Sequence, residues 1–295
     1  MSKILIVGGT GMLGEPVARQ LKRDGFSVKI MSRNPEKAAK QLGAGFEFVA
    51  GDVQNLESLR EVLGDCEGVH VNLAGGPTPA DYDRIEHCGT ANVAKAAAEM
   101  GVNRISYLSG FSVCQENSHH YATKAKYDAE NAIKASGVSY TIFRASWFME
   151  SFPLFIQGKR AMIIGNQRTP LHWMAAADYA CMVSNSFRLP AAANQTFYVG
   201  GPEAVSMTDA VTQYCQLVRP DVKVSRIPVW LFSLLTALSR DEGMKDIGRF
   251  MAYSAQITET GSFETANAML GLPTTTLQDW FQTQMSNQQA QPVLA

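Results

Sequence analysis

The chain has 295 residues, 46% of them hydrophobic and 18% charged, and a formal net charge of −1. That length suits one large domain or one and a half, with a substantial core. The near-neutral balance, without a strong basic run, argues against a nucleic-acid or anionic-membrane partner. The five cysteines (Cys66, Cys88, Cys114, Cys181 and Cys215) are odd in number and widely spaced. They read as free thiols of a reducing, cytoplasmic compartment rather than a disulfide framework. No cysteine or carboxylate stands at metal-ligand spacing from His119-His120, so no metal site is expected.

Short apolar runs alternate with helix-period segments through the first half. Ile4 to Val7 predicts a strand, too short for the core of a secretory signal. A helix follows with Leu13, Val17 and Leu21 as its apolar stripe. Val28 to Met31 predicts a second strand, Pro35 to Leu42 a short helix with proline in its first turn, and Phe46 to Val49 a third strand. Leu56, Leu59 and Leu63 mark a helix, and Val69 to Val71 a fourth strand. One long helix is expected with Ile85, Gly89, Val93, Ala96 and Met100 on one face. Arg104 to Leu108 predicts a fifth strand, Ala125 to Ile133 another helix, and Tyr140 to Phe143 a sixth strand. Such alternation implies βαβ crossovers and a parallel sheet covered on both faces.

The alternation fades after Arg144. Residues 146–285 are expected to build a smaller substrate-side region interwoven with the first 145. Within it, Gln195 to Val199 reads as a strand and Thr208 to Leu217 as a helix. Trp147, Phe148, Met149, Phe152, Trp173, Trp230 and Phe232 are candidates to line an apolar pocket. The apolar run over residues 229–238 falls well short of a membrane span and predicts a buried or pocket-lining helix. Residues 286–295, polar and rich in glutamine, predict a flexible tail.

The strongest local signal is Gly8-Gly9-Thr10-Gly11-Met12-Leu13-Gly14, between the first strand and the first helix. Gly8, Gly11 and Gly14 allow a tight turn, close backbone approach to a pyrophosphate, and close packing of helix on strand. The helix N-terminus then offers free N–H groups and a positive dipole end to phosphates. This predicts an α/β, Rossmann-type, doubly wound sheet that binds a dinucleotide. An NAD site usually carries an acid at the tip of the second strand, for the ribose 2′-hydroxyl. Here the tip reads Met31-Ser32-Arg33-Asn34-Pro35-Glu36-Lys37. Ser32 and Arg33 suit a 2′-phosphate instead, so NADP(H) is expected ahead of NAD(H).

These segments resemble the short-chain dehydrogenase/reductase superfamily, in particular its atypical, NmrA-like branch. The likeness is carried by the glycine loop, Ser32 to Lys37, Gly51 to Asn55, Asn72 to Gly75, Gly101 to Ile105, Leu108 to Gly110, Lys126 to Glu130 and Ser136 to Arg144. It implies that Asp52 and Val53 bracket the adenine, and that Leu73, Ala74 and Gly75 run past the cofactor. It also implies that Ser109 sits near the nicotinamide and that Lys126 holds the nicotinamide ribose. The chain departs from the wider superfamily at its Tyr-x-x-x-Lys pair, whose spacing sets both side chains about 40° apart on one helix face. Four residues before Lys126 stands Ala122; Tyr121 is about 140° from Lys126 on a regular helix. Tyr121 remains the candidate proton donor, with Lys126 and Ser109 beside it. The resemblance implies either an NADPH-dependent reductase of a small apolar carbonyl, quinone or conjugated substrate, or a non-catalytic NADP(H)-binding redox sensor. A homodimer or a protein partner is compatible with either.

Overall fold

The computed structural model describes residues 2–76, 78–237 and 242–290. In chain order the first elements are β1 (Lys3–Val7), α1 (Gly14–Arg23), β2 (Ser27–Ser32), α2 (Pro35–Leu42), β3 (Glu47–Ala50), α3 (Leu56–Leu63) and β4 (Gly68–Val71). Next come α4 (Pro79–Asp81), a π-helical turn (Tyr82–His87), α5 (Cys88–Glu99), β5 (Arg104–Gly110), α6 (Tyr121–Ala135) and β6 (Tyr140–Ala145). A 3₁₀ segment (Met149–Phe155) leads to β7 (Ile156–Gln157), β8 (Arg160–Ile164), β9 (Pro170–His172), α7 (Ala176–Arg188) and β10 (Gln195–Val199). The chain ends with β11 (Ala204–Ser206), α8 (Met207–Leu217), β12 (Lys223–Ile227), α9 (Val229–Ala237), α10 (Glu242–Ser254), α11 (Glu264–Leu270) and α12 (Leu277–Ala290).

The chain divides into two compact units. The first takes the residues through Ala145, then Ala176–Val199 and Thr260–Leu272. It holds a seven-stranded sheet in the order β10-β6-β5-β4-β1-β2-β3, parallel at every neighbouring pair. Parallel strands covered on both faces need continuous apolar runs. Ile4, Leu5, Ile6 and Val7 of β1 are accordingly all buried. From β1 the chain winds to β2 and β3 on one side, and to β4, β5, β6 and β10 on the other. The reversal lies between β1 and β4, where ligands of open α/β sheets bind at the carboxyl ends of the strands.

Local chemistry sets the helix starts. Asn34 caps α2, its side chain accepting from the Lys37 N–H at 2.9 Å, and Pro35 takes the first helical position. Asn55 caps α3 in the same way. Val17, Ala18 and Leu21 bury the inner face of α1 completely. The helix expected through Ile85 and Met100 is instead three pieces: α4, the π turn and α5. The wider turn rotates its residues relative to an α-helical wheel, which a 3.6-residue period does not show.

The second unit, Ser146–Ala175, Gly200–Glu259 and the residues from Pro273, carries a three-stranded sheet β12-β8-β7 and an antiparallel pair, β9 with β11. Its core is aromatic. Phe152 stacks on Trp173 at 4.6 Å and on Tyr214 at 5.2 Å, with Phe281 at 5.5 Å. Phe152, Trp173 and Met149 are fully buried, so these three are core rather than pocket wall. Trp147 is half-buried and Trp230 is 68% exposed. Helix α9, expected to be buried or pocket-lining, also exposes Leu234 and Leu235 while burying Phe232. All four tryptophans (Trp147, Trp173, Trp230 and Trp280) belong to this unit. The tail expected from Ser286 is helical through Ala290 as the end of α12; residues 291–295 lie outside the described residues. No helix among the described residues is long and apolar enough to cross a membrane.

Candidate functional site

The glycine loop closes tightly on itself. The Gly11 N–H donates to the Gly8 carbonyl at 3.0 Å, and the Glu15 N–H donates to the Gly11 carbonyl at 3.0 Å. Gly8 has φ +87°, and a Cβ there would stand 2.0 Å from the Asn72 carbonyl oxygen. A Cβ on Gly14 would stand 2.1 Å from the Gly8 carbonyl oxygen. Glycine is therefore required at Gly8 by backbone conformation and close approach, and at Gly14 by the packing of helix on turn. Met12 is exposed at 44%, and Leu13 occupies the N-cap of α1 without a side-chain bond. The backbone N–H groups at the start of α1 keep no capping partner from Leu13, as an anion-binding helix start requires.

At the carboxyl ends of β1 to β4 lies a groove of about 550 Å³. It is lined by eight of the expected residues: Gly8, Thr10, Ser32, Arg33, Asp52, Val53, Leu73 and Ala74. Gly11, Met12, Leu13 and Gly14 form the turn beside it without lining it, and Gly75, Lys126, Ser109 and Tyr121 lie outside its walls. Asp52 makes a turn of its own, Oδ1 accepting from the Gln54 N–H at 2.9 Å; it does not cap α3. Arg33 and Lys37 both line the groove with exposed side chains, and among the described residues no carboxylate pairs with either. Lys37, Asn34 and Gln41 are wall residues that the strand-tip reading did not assign. Their signal was available: Lys37 stands in the first turn of a helix that starts at the β2 tip. A cradle shaped by Gly8 and Gly14 at the start of α1, opening on this groove, fits a dinucleotide.

Around β5 the expected residues meet partners of their own. Ser109 is buried, and its Oγ donates to Glu130 Oε1 at 2.6 Å. The fully buried Glu130 carboxylate also accepts from Arg144 Nε at 3.0 Å and Nη2 at 2.8 Å. Lys134 Nζ reaches it at 3.3 Å. Burial opposes the Arg144 charge, but its bonds to Glu130 outweigh that and raise its pKa. Arg144 Nη1 donates in turn to the Tyr198 hydroxyl at 3.0 Å. The Ser109 hydroxyl thus ties β5 to α6, and through Glu130 and Arg144 to β6.

Lys126 Nζ donates to Glu86 Oε1 at 2.9 Å and to the Leu108 carbonyl at 3.1 Å. The same Glu86 oxygen accepts from the Tyr107 hydroxyl at 2.7 Å. Burial, and then the nearby Glu86 charge, raise the Tyr107 pKa well above its ordinary value, so the phenol stays a donor. Tyr121 is the first residue of α6. Its ring meets Tyr82 edge-on at 5.1 Å and stacks on His120 at 4.7 Å. Lys124, three residues on, is paired with Asp128. A Cβ on Gly75 would stand 2.4 Å from the Tyr82 ring, so Gly75 lets that ring lie against the loop after β4. Among the described residues, metal-ligating types gather at Asp83, His87 and Cys88, within 4.8 Å of one another. There His87 Nδ1 already pairs with Asp83 at 2.9 Å on an open surface.

Comparison with known proteins agrees with this geometry. The NAD(P)H-binding family matches residues 8–166. The photosystem II assembly factor Ycf39 of Trieres chinensis is 25% identical over 240 residues, 80% of this chain and 75% of that protein. The (4-alkanoyl-5-oxo-2,5-dihydrofuran-3-yl)methyl phosphate reductase of Streptomyces griseus is 25% identical over 286 residues, 94% of this chain and 96% of that one. The NADPH complex of an NADPH-dependent quinone oxidoreductase from Escherichia coli superposes with a TM-score of 0.75 at 20% identity, covering 95% of this chain and 99% of that one. The glycine loop, the seven-stranded parallel sheet and the groove at its carboxyl end are those of a Rossmann-type fold, and the chain belongs to the NAD(P)H-binding family.

Proposed function

We propose that the protein is an NADPH-dependent oxidoreductase that reduces a small apolar carbonyl, quinone or conjugated acceptor. The observation that carries the cofactor choice is the β2 end of the groove. Ser32, Arg33 and Lys37 line it, and the strand tip has no carboxylate. A guanidinium and an ammonium suit a 2′-phosphate, whereas an acid there would repel it. NAD(H) is the less favoured ligand. The bound dinucleotide supplies hydride chemistry; the chain's own residues bind, orient and exclude water. The Gly8–Gly14 turn would hold the pyrophosphate, Asp52 and Val53 the adenine, and Leu73 to Gly75 the path between. Lys126 would hold the nicotinamide-side ribose, and Tyr121 would be the proton donor. The reductases among the similar proteins support the acceptor class.

A second reading is a dinucleotide-binding protein that reports the redox state to a partner. Ala122 in the tyrosine register and the engagement of Ser109 by Glu130 favour it. So does the likeness to an assembly factor. Calorimetric titration with NADPH and NADH tests the site. NADPH is expected to bind more tightly, and Arg33→Ala to weaken NADPH about tenfold or more while leaving NADH nearly unchanged. Equal binding of both nucleotides by the wild type would overturn the NADPH preference. Turnover of quinones or conjugated carbonyls, slowed by Tyr121→Phe, supports the reductase; tight binding with no turnover supports the sensor.

A further inference from the structure

We propose that Glu86 is a positioning residue for the dinucleotide. From the π-helical turn it fixes the ammonium of Lys126 at the carboxyl end of β5; this rests on the reading that Lys126 meets the nicotinamide-side ribose. Three observations carry it. Glu86 is 1% exposed, and a carboxylate so deep is costly unless it is paired and hydrogen-bonded. Its bonding is lopsided: Oε1 takes both Tyr107 and Lys126. Among the described residues Oε2 has no partner, and neither does the Thr90 hydroxyl one turn on. The bonded oxygen joins the Tyr107 hydroxyl of β5 to the Lys126 ammonium of α6.

The second observation is the turn itself. Residues Tyr82–His87 are π-helical inside an otherwise α-helical run, a geometry that is rare and concentrated at functional sites. The turn is anchored from outside. Arg84 bonds Asp81 at 2.7 Å and Gln54 at 2.8 Å, and Thr78 caps the segment. The third observation is what remains of Lys126. Two of its three N–H groups go to Glu86 and the Leu108 carbonyl. One donor is left on a side chain that is 23% accessible, its ammonium set by two fixed acceptors. A lysine so held offers a single directed N–H with little side-chain entropy left to lose, which is what orienting a ribose hydroxyl requires.

The test is a double-mutant cycle read with two ligands. On this reading NADPH reaches Lys126, whereas adenosine 2′,5′-bisphosphate carries only the adenosine with its 2′- and 5′-phosphates. Glu86→Gln keeps the volume and removes the charge. Glu86→Gln and Lys126→Met are each expected to weaken NADPH about tenfold, and the double variant to bind no worse than Lys126→Met alone. Adenosine 2′,5′-bisphosphate affinity should stay unchanged in all three. Multiplicative losses in the double variant, or wild-type NADPH affinity in Glu86→Gln, overturn the proposal. So do parallel losses for both ligands, which would make Glu86 a purely structural residue. A wild type that binds neither ligand removes the dinucleotide reading itself, and the proposal with it.

Discussion

Two glycines with nearly the same φ separate conformational need from steric need. Gly8 and Gly25 have φ +87° and +89°, but an added Cβ meets the Asn72 carbonyl at Gly8 and nothing within 4 Å at Gly25. Gly25→Ala should therefore cost only the left-handed strain, about 1–2 kcal/mol. Gly8→Ala should cost more and also abolish NADPH binding. Urea unfolding and titration of both variants check this, and equal stability losses would refute the steric part. The glycine spacing was legible because the need is local: a turn, a phosphate and a helix start occupy seven residues. The engagement of Ser109 by Glu130 and of Lys126 by Glu86 was not. Those partners stand 21 and 40 residues apart in sequence, and nothing in the local pattern announces them.

Elements read well where the period was clean and badly where it changed. The seven strands of the parallel sheet were predicted to within a residue or two because continuous apolar runs are what a doubly covered sheet needs, whereas the short β7, β8, β9, β11 and β12 of the second unit were not predicted. The π turn was missed because residue identities around Ile85 satisfy an α-helical wheel. The His70 position shows how completely β4 is enclosed. Its ring is fully buried, with Nδ1 at 2.9 Å from Ser106 Oγ of β5. Burial lowers its pKa to about 3. The unfolded chain takes up a proton near the ordinary value and the folded chain does not. This contribution to stability is therefore complete above about pH 6.5 and is lost as the pH falls toward the folded value, by up to about 1.4 kcal/mol per pH unit. Denaturation midpoints between about pH 7 and pH 5 should fall less steeply in His70→Gln than in the wild type. Identical slopes would show that His70 titrates normally.

At the scale of the whole molecule, the fade of alternation after Arg144 and an interweaving of residues 146–285 with the first 145 were expected, but not which segments would rejoin the first unit. Residues 176–199 add α7 and β10 to the first unit, and residues 260–272 add α11. β10 pairs with β6 over Gln195–Val199, α7 packs on α1, and Asn185 Nδ2 donates to the Leu270 carbonyl at 2.8 Å. An amphipathic helix fits any apolar face, so sequence alone does not say which sheet it rejoins. A fragment of residues 1–145 lacks all three elements. It would expose the edge of β6 and the outer face of α1. It should aggregate or fail to give a cooperative unfolding transition, whereas the full chain should give one; a soluble, cooperatively folding fragment would overturn this.

The placement of the indoles gives the molecule a built-in optical asymmetry. Every tryptophan lies in the second unit, so tryptophan emission, excited beyond the absorption of tyrosine, watches that unit alone during denaturation, while far-ultraviolet dichroism sums the helices and strands of both. Coincident curves would mean that the nucleotide-binding half and its companion melt as a single cooperative body. Separated curves would time the loss of one half against the other without any label, and NADPH would then shift the two transitions unequally.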